Sequence, residues 1–177
     1  MTLEQVKQLT ALIREELPGI PIMWGGLHCI VRPEECIQYA DIVCAGEGEE
    51  VTVQLLNNWD EYKKGKIPEI PGLWFRQGEK IISSSEHPVV QDLDKLPIPL
   101  AMENELLIED DVVSEKMNEP GDFLNAHIYI FTERGCPYKC AYCIHSMLRH
   151  KGFKRFRRRS VDSVLAETAD RVNRLGM

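Results

Sequence analysis

The sequence predicts an α/β protein. Segments with helical apolar spacing alternate with short continuous apolar runs, the order helix–strand–helix–strand–helix opens the chain, and glycine-rich loops follow the first two runs. A third apolar run near the C-terminal end leads into three closely spaced cysteines, Cys136, Cys140 and Cys143. At 177 residues the chain is long enough for one good core or parts of two. Its 44% hydrophobic and 28% charged content is ordinary for a globular protein.

Thr2-Leu3-Glu4-Gln5 matches a capping box, and Leu3, Val6, Leu9, Ile13 and Leu17 continue as one helical stripe. Pro18-Gly19 stops that helix. Ile20 to Trp24 is expected as a short buried strand, with Pro21 suiting an edge position. Gly25-Gly26 ends it, and a pair of glycines permits a tight turn and close backbone approach to a ligand. Pro33-Glu34-Glu35 opens the next helix, because proline suits the first turn and acids suit its positive end. Asp41 to Ala45 is the second strand. Gly46-Glu47-Gly48-Glu49-Glu50 leads into a third helix, on which Val51, Leu55 and Trp59 share a face. This order is parallel in character, and open α/β sheets bind ligands at the carboxyl ends of their strands, where both glycine loops lie.

Residues 57–71 are expected as a polar connector with a solvated Lys63-Lys64-Gly65-Lys66 run. Residues 72–76 and 80–83 form a hairpin around Gln77-Gly78-Glu79. Residues 92–99 form a proline-stiffened linker near a domain boundary. Residues 101–125 are acidic and without clear period. Residues 126–132 are continuously apolar, as expected of a strand buried on both faces. Ser160 caps a last helix with Asp162 in its first turn, and Val161, Val164, Leu165, Thr168, Val172 and Leu175 line one face.

Charge is divided unevenly along the chain. Residues 126–177 hold 11 Lys+Arg against 4 Asp+Glu, a net +7, and residues 1–125 hold 10 against 24, a net −14. That division marks two modules rather than one nucleic-acid-binding surface. No apolar run approaches the roughly 20 residues that span a bilayer. Nothing suggests secretion, so the six cysteines do not indicate a disulfide framework, and the cytoplasm is the expected compartment.

The cysteine triplet carries the chemistry. Thiolates this closely spaced reach one metal centre from a single loop, and thiolates are the ligands of iron–sulfur cubanes. Three ligands leave one iron open for a reacting group. Two alternatives stand beside this one. The three cysteines with His145 or His150 make a Cys3His zinc set, although zinc sites more often use paired Cys-x2-Cys knuckles. Buried, inert thiols are the other alternative. Cys29, Cys36 and His28 lack tight ligand spacing and read as small buried residues and a loop residue. Basic and aromatic residues interleave over 149–159, a pattern that also occurs in single-strand nucleic-acid binders, but the stretch is short and the chain acidic.

Arg134-Gly135-Cys136-Pro137-Tyr138-Lys139-Cys140-Ala141-Tyr142-Cys143 resembles the signature of the radical S-adenosylmethionine superfamily, Cys-x3-Cys-x-aromatic-Cys. The resemblance implies that Cys136, Cys140 and Cys143 bind a [4Fe-4S] cluster whose fourth iron is chelated by S-adenosylmethionine. It also implies that Tyr142 lies near the adenine and that reduction releases a 5′-deoxyadenosyl radical. Gly25-Gly26-Leu27-His28, with Pro33-Glu34-Glu35 and the run from Asp41 to Glu50, looks like the C-terminal half of a Rossmann-like cobalamin-binding domain. In that family the double glycine lies against the corrinoid's nucleotide tail, a role that falls to Gly25 and Gly26, with Gly46 and Gly48 as neighbours.

The implied organisation is a partial cobalamin-binding-like domain over residues 1–66, a hairpin and linker over 67–125, and the first β–α unit of a radical S-adenosylmethionine (β/α) barrel over 126–177. The implied partners are a small-molecule substrate and an electron donor such as a flavodoxin or ferredoxin. Reactions in such relatives include methyl transfer and ring closure or contraction, and some superfamily members modify RNA. Both domains are expected to be incomplete in this chain, so no catalytic residue is assigned and the chain alone is expected to lack catalytic competence. A non-catalytic zinc-binding or interaction module is the contrasting expectation.

Overall fold

The computed structural model describes residues 2–86, 88–99, 105–109, 112–116, 129–153 and 156–174. Helix α1 spans Leu3–Glu16, and Thr2 caps it with the full reciprocal capping box to Gln5. Then follow β1 (Met23–Trp24), α2 (Leu27–Val31), α3 (Pro33–Cys36), β2 (Ile42–Cys44), α4 (Gly48–Asn57) and α5 (Trp59–Lys63). Strands β3 (Leu73–Gln77) and β4 (Lys80–Ile82) form the expected hairpin. A single 3-10 turn occupies Leu93–Lys95, and β5 (Glu105–Glu109) pairs with β6 (Val112–Lys116). The remaining elements are β7 (Glu133–Arg134), α6 (Ile144–His150), β8 (Arg157–Arg158) and α7 (Val161–Arg174).

The chain divides into two compact units: Met1–Gln91 with Gly135–Arg155, and Asp92–Arg134 with Phe156–Met177. In the first, a mixed sheet runs in the order β1-β2-β3-β4. Only β1 and β2 are parallel; β3 and β4 join them antiparallel. The sheet is therefore not parallel throughout, because the hairpin expected in the connecting region extends it. Both faces are covered, as the period-2 alternation requires. Ile42, Cys44, Leu73 and Phe75 pack with Val51 and Leu55 of α4, while Val43 packs on the other face with Trp24, Cys36 and Ile37.

Asp41 ties three elements together at the start of β2. Its carboxylate accepts the Ile22 N–H at 2.9 Å and pairs with Arg14 of α1 at 2.9 Å, and its carbonyl accepts the Arg76 N–H at 2.9 Å. On the β1 side, the Trp24 indole N–H donates to the buried Thr10 hydroxyl at 3.0 Å.

Several expectations are corrected. The first strand is only two residues long; residues 20–22 lie outside the ladder, and the Ile22 carbonyl instead accepts the Asp41 and Ile42 N–H groups. The short α2 was not expected, and neither was α5 inside the polar connector. There the Asn58 side chain donates to the Gln54 carbonyl at 2.8 Å and breaks the third helix in two, with Trp59 still packed against the core. The lysine run is solvated as expected, each lysine pairing with Asp60 or Glu61. Glu105–Glu109 and Val112–Lys116 pair as antiparallel strands where no period is expected.

Of the strand expected over 126–132, residues 126–128 lie outside the described residues and 129–132 form no strand. Tyr129 and Phe131 are 72% and 79% exposed. Among the described residues, the only ladder beside this run is the two-residue pairing of β7 with β8, too little sheet to bury both faces.

In the second unit, Ser160 caps α7 through a Ser163 N–H bond to its hydroxyl at 3.1 Å, as expected. Asp94 accepts the Ser160 N–H at 2.9 Å, and this bond and the Ser160 side chain hold its carboxyl below the ordinary carboxylate value. Of the apolar stripe on α7, Val164, Thr168 and Val172 are half-buried, Val161 and Leu165 are exposed, and Leu175 lies outside the described residues. Glu167, only 2% exposed, pairs with Arg159 and Arg171. Burial alone pushes its carboxyl up, but the two guanidiniums hold it below its ordinary value.

Asp41→Ala leaves the Ile22 N–H without its acceptor and Arg14 without its partner, so urea unfolding should register a loss of about 2 kcal/mol. Because Glu167 titrates below its unfolded value, its contribution is present above the ordinary carboxylate range and lost as pH falls through the depressed value. Between pH 7 and pH 3, Glu167→Gln should therefore flatten the acid loss of stability, read as the pH dependence of the urea midpoint.

Candidate metal centre

The cysteine loop belongs to the first unit and runs from Gly135 into α6. Gly135 has φ +92°, a left-handed conformation that glycine adopts without strain. Cys136, Cys140 and Cys143 are half-buried, whereas Pro137, Tyr138, Lys139, Ala141 and Tyr142 between them are exposed. The three cysteines are thus less exposed than the residues between them.

Two residues of α6 hold the loop backbone. The Ser146 hydroxyl donates to the Cys140 carbonyl at 2.6 Å, and the Arg149 guanidinium donates to the Cys136 carbonyl at 3.3 Å. The Cys143 N–H closes a turn onto the Cys140 carbonyl at 3.1 Å, and the Ser146 N–H bonds the Cys143 carbonyl at 3.0 Å. Neither Ser146 nor Arg149 was singled out as a positioning residue. Their signal is their place on a short helix that begins at the last cysteine, Ser146 in its first turn and Arg149 in its last, where side chains lean back toward the preceding loop.

Among the described residues, no three His, Cys, Asp or Glu side chains are gathered closely enough to hold one ion. The structure places the three thiols on one short loop but does not gather them into a closed ligand set. The donor chemistry fits an iron–sulfur cluster: three soft thiols on one loop with no carboxylate between Glu133 and Asp162 to compete for the metal. His145 is half-buried and His150 exposed.

The expected glycines fall into different surroundings. Gly25 and Gly26 are exposed at the end of β1, with Gly26 at φ +94°, and a Cβ at Gly26 would meet nothing within 4 Å. Gly25 borders a cleft of about 650 Å³ lined by Leu3, Val6, Thr10, Trp24, Leu27 and Cys29 among others. Gly46 is buried instead: a Cβ there would meet Pro88 Cδ at 2.8 Å. Gly48 opens α4, with only the Thr52 hydroxyl nearby at 3.9 Å. Within this unit α6 lies beside α2, the helix that follows the double glycine.

Cys29 and Cys36 are buried beside one another. The hydrogen bond to Cys36, then burial, pushes the Cys29 thiol up, and the same bond pulls Cys36 below its ordinary value. His28 pairs with Glu35 at 3.3 Å. Cys29 and Cys36 are core thiols as expected, whereas His28, expected in a loop, lies in α2. The arginine run is also engaged: Arg157 is buried, Arg158 lies over the Phe156 ring and pairs with Glu133, and Arg159 pairs with Glu167.

Fold and loop together define an α/β protein with a three-thiol loop pinned by the helix that follows it. No family profile matches the chain, and no solved structure matches it. Curated proteins do. It is 29% identical to the anaerobic magnesium-protoporphyrin IX monomethyl ester cyclase of Synechocystis over 161 residues, 85% of this chain and 29% of the cyclase. It is 30% identical over 151 residues to an uncharacterized methyltransferase of Pyrococcus horikoshii, covering 82% of this chain and 29% of that protein. With the cobalamin-dependent radical SAM methyltransferase TokK of Streptomyces tokunonensis it shares 27% identity over 143 residues, 77% of this chain and 19% of TokK. The chain is thus a relative of the radical S-adenosylmethionine superfamily, among relatives of the cobalamin-binding type. It spans less than a third of the length of each of these proteins.

Ser146→Ala removes the hydroxyl that fixes the Cys140 carbonyl. Amide exchange at Cys143 should then quicken roughly fivefold, as expected for one lost hydrogen bond of about 1 kcal/mol, while exchange in β2 stays unchanged.

Proposed function

We propose that this chain is the cluster-binding portion of a radical S-adenosylmethionine enzyme acting on a small-molecule substrate, with Cys136, Cys140 and Cys143 as the ligands of a [4Fe-4S] cluster. The observation that supports the reading is the loop itself: three half-buried cysteines among exposed neighbours, with the carbonyls of two of them fixed from α6. When bound, the cluster supplies one-electron reduction to the sulfonium of S-adenosylmethionine. The chain's own contribution is to hold three sulfurs on one loop, to keep carboxylates away from them, and to present the Tyr142 ring, 93% exposed, for stacking against an adenine.

Residues 1–66 form the cobalamin-type portion, 67–125 the connecting hairpin and linker, and 126–177 the opening of the barrel. Gly25 and Gly26, open and without a side chain, suit close approach by the nucleotide tail of a corrinoid. Gly46, filled by Pro88, supports the turn after β2 rather than touching a ligand, and Gly48 starts the helix beyond it. Methyl transfer or ring closure is the reaction class that the relatives' names, methyltransferase and cyclase, support.

Anaerobic reconstitution with iron and sulfide tests the centre. The expected product is brown, with broad visible absorption and about four irons and four sulfides per chain. A colourless protein holding about one zinc overturns the reading in favour of a structural zinc module. Cys140→Ala should abolish iron loading, and Cys36→Ala, which alters only a core thiol, should leave it intact.

A further inference from the structure

Cys29 lies on α2 and Cys36 ends α3. In one continuous helix a seven-residue spacing would set them roughly 10 Å apart along the axis. The chain instead breaks at Arg32, with φ −131° and ψ 56°, and Pro33, which has no N–H to continue α2, starts α3 afresh. α3 packs against α2, and both thiols enter one core cluster with Trp24, Ile37, Ala40 and Val43. There the Cys29 thiol donates to the Cys36 sulfur, and that bond holds Cys36 below its ordinary value although burial, Glu35 and Glu34 push it the other way. The third buried thiol is not their partner: Cys44 packs in the other cluster with Ile42 and Leu73 and donates to the Gly46 carbonyl at 3.5 Å. Buried thiols are ordinarily inert because no reagent reaches them. These two are reachable, since Cys29 and Cys36 both line the 650 Å³ cleft beside α1. Its walls are mostly apolar, which favours entry of a small uncharged oxidant over a charged one.

We propose that Cys29 and Cys36, paired at the Arg32 corner and lining one cleft, are a reversible oxidation site: a hydroperoxide converts them to a disulfide that staples α2 to α3, with Cys36 as nucleophile and Cys29 as resolving thiol. The site is independent of the metal reading, because neither thiol belongs to the cysteine loop. With hydrogen peroxide, the Cys36 thiolate attacks one oxygen and the O–O bond breaks. Cys36 becomes a sulfenic acid, and the departing hydroxide takes up the proton that Cys36 gave up and leaves as water. The Cys29 sulfur then displaces the sulfenic hydroxyl, which leaves with the Cys29 proton as a second water. Two thiols lose two electrons in all, and one peroxide gains them. A thiol reductant reverses the bond by exchange. The staple fixes the corner that follows α2, the helix that begins at the double glycine and lies beside α6.

The experiment treats the metal-free full chain with hydrogen peroxide, blocks the remaining thiols with N-ethylmaleimide in denaturant, and maps the peptides by mass spectrometry. Cleavage after Glu and Asp puts Cys29, Cys36 and Cys44 on separate peptides, because Glu34 and Glu35 lie between the first two and Asp41 between the last two. The expected product is the Cys29 peptide joined to the Cys36 peptide, with both maleimide sites lost and both restored by dithiothreitol, while Cys44 stays alkylated. In the Cys29→Ser chain, dimedone should trap a sulfenic acid on Cys36. In the Cys36→Ser chain, dimedone should leave Cys29 unlabelled. A chain unfolded in urea before oxidation should show no preference for the Cys29–Cys36 pairing, since the fold is what selects it. Cys29 and Cys36 both alkylated after the loop thiols have reacted, or Cys36 joined to Cys44 or to a loop cysteine, would overturn the site. The map of the unaltered chain needs no variant, so it decides the matter even where a serine substitution fails to fold. Iron uptake by the reduced chain is measured separately: a chain that takes up no iron yet joins Cys29 to Cys36 loses its centre and keeps its disulfide.

Discussion

A loop that must present three thiols has no ladder of its own to hold it, so its shape has to be imposed from outside. Here the imposition comes from α6. Ser146 and Arg149 take the carbonyls of Cys140 and Cys136, and the Cys143 N–H closes back on Cys140. A carbonyl pinned at either end of the motif fixes where the side chains between can go, because each peptide leaves only two soft dihedrals per residue. On this pinned loop the cysteines are half-buried while Tyr138, Lys139 and Tyr142 are exposed. Hydrogen bonds from a charged guanidinium are stronger than neutral ones, which suits a loop without a core of its own.

Charge sets the second constraint. Three thiolates near one point repel one another, and a nearby carboxylate would add to the repulsion and compete for a hard or borderline metal. The chain excludes acids from the whole stretch around the loop and lets basic residues gather there. Where those arginines leave the loop they are neutralised locally, Arg159 by the buried Glu167 and Arg158 by the exposed Glu133.

Much of this was legible in the sequence, and what was not has physical causes. The capping box at Thr2, the strand at Ile42–Cys44 and the Ser160 cap are local signals, written in a few residues each, and they are where the sequence places them. The hairpin at 73–82 was equally legible, but its attachment to β2 was not, because strand pairing across tens of residues leaves no local mark. The run ending at Thr132 shows the converse. Apolar character indicates a wish to be buried, yet burial on two faces depends on neighbouring strands that no composition can supply. Likewise, Ser146 and Arg149 look like ordinary helix residues until the loop is seen folded back over them.

The two glycine loops carry the sharpest case of one sequence pattern with two physical meanings. Both follow strands, and both invite close approach of something at the carboxyl end of a sheet. At Gly46 that something is the chain itself: Pro88 fills the space a side chain would take, and the Glu47 carboxylate holds the Val90 N–H at 2.6 Å beside it. Gly72, at φ +83°, meets the same proline, with a would-be Cβ only 2.5 Å from its Cδ. One proline therefore consumes two glycines for packing. At Gly25 and Gly26 no such plug exists, and the backbone opens onto the apolar cleft beside α1 and α2. Glycine is expensive to order, and in the first two cases tight packing offsets that cost. In the third no such packing is present within the described part of this unit: Gly25 has only the Cys44 Cβ nearby, at 3.9 Å, and Gly26, at φ +94°, makes the turn into α2, so the cost is borne for the backbone conformation itself.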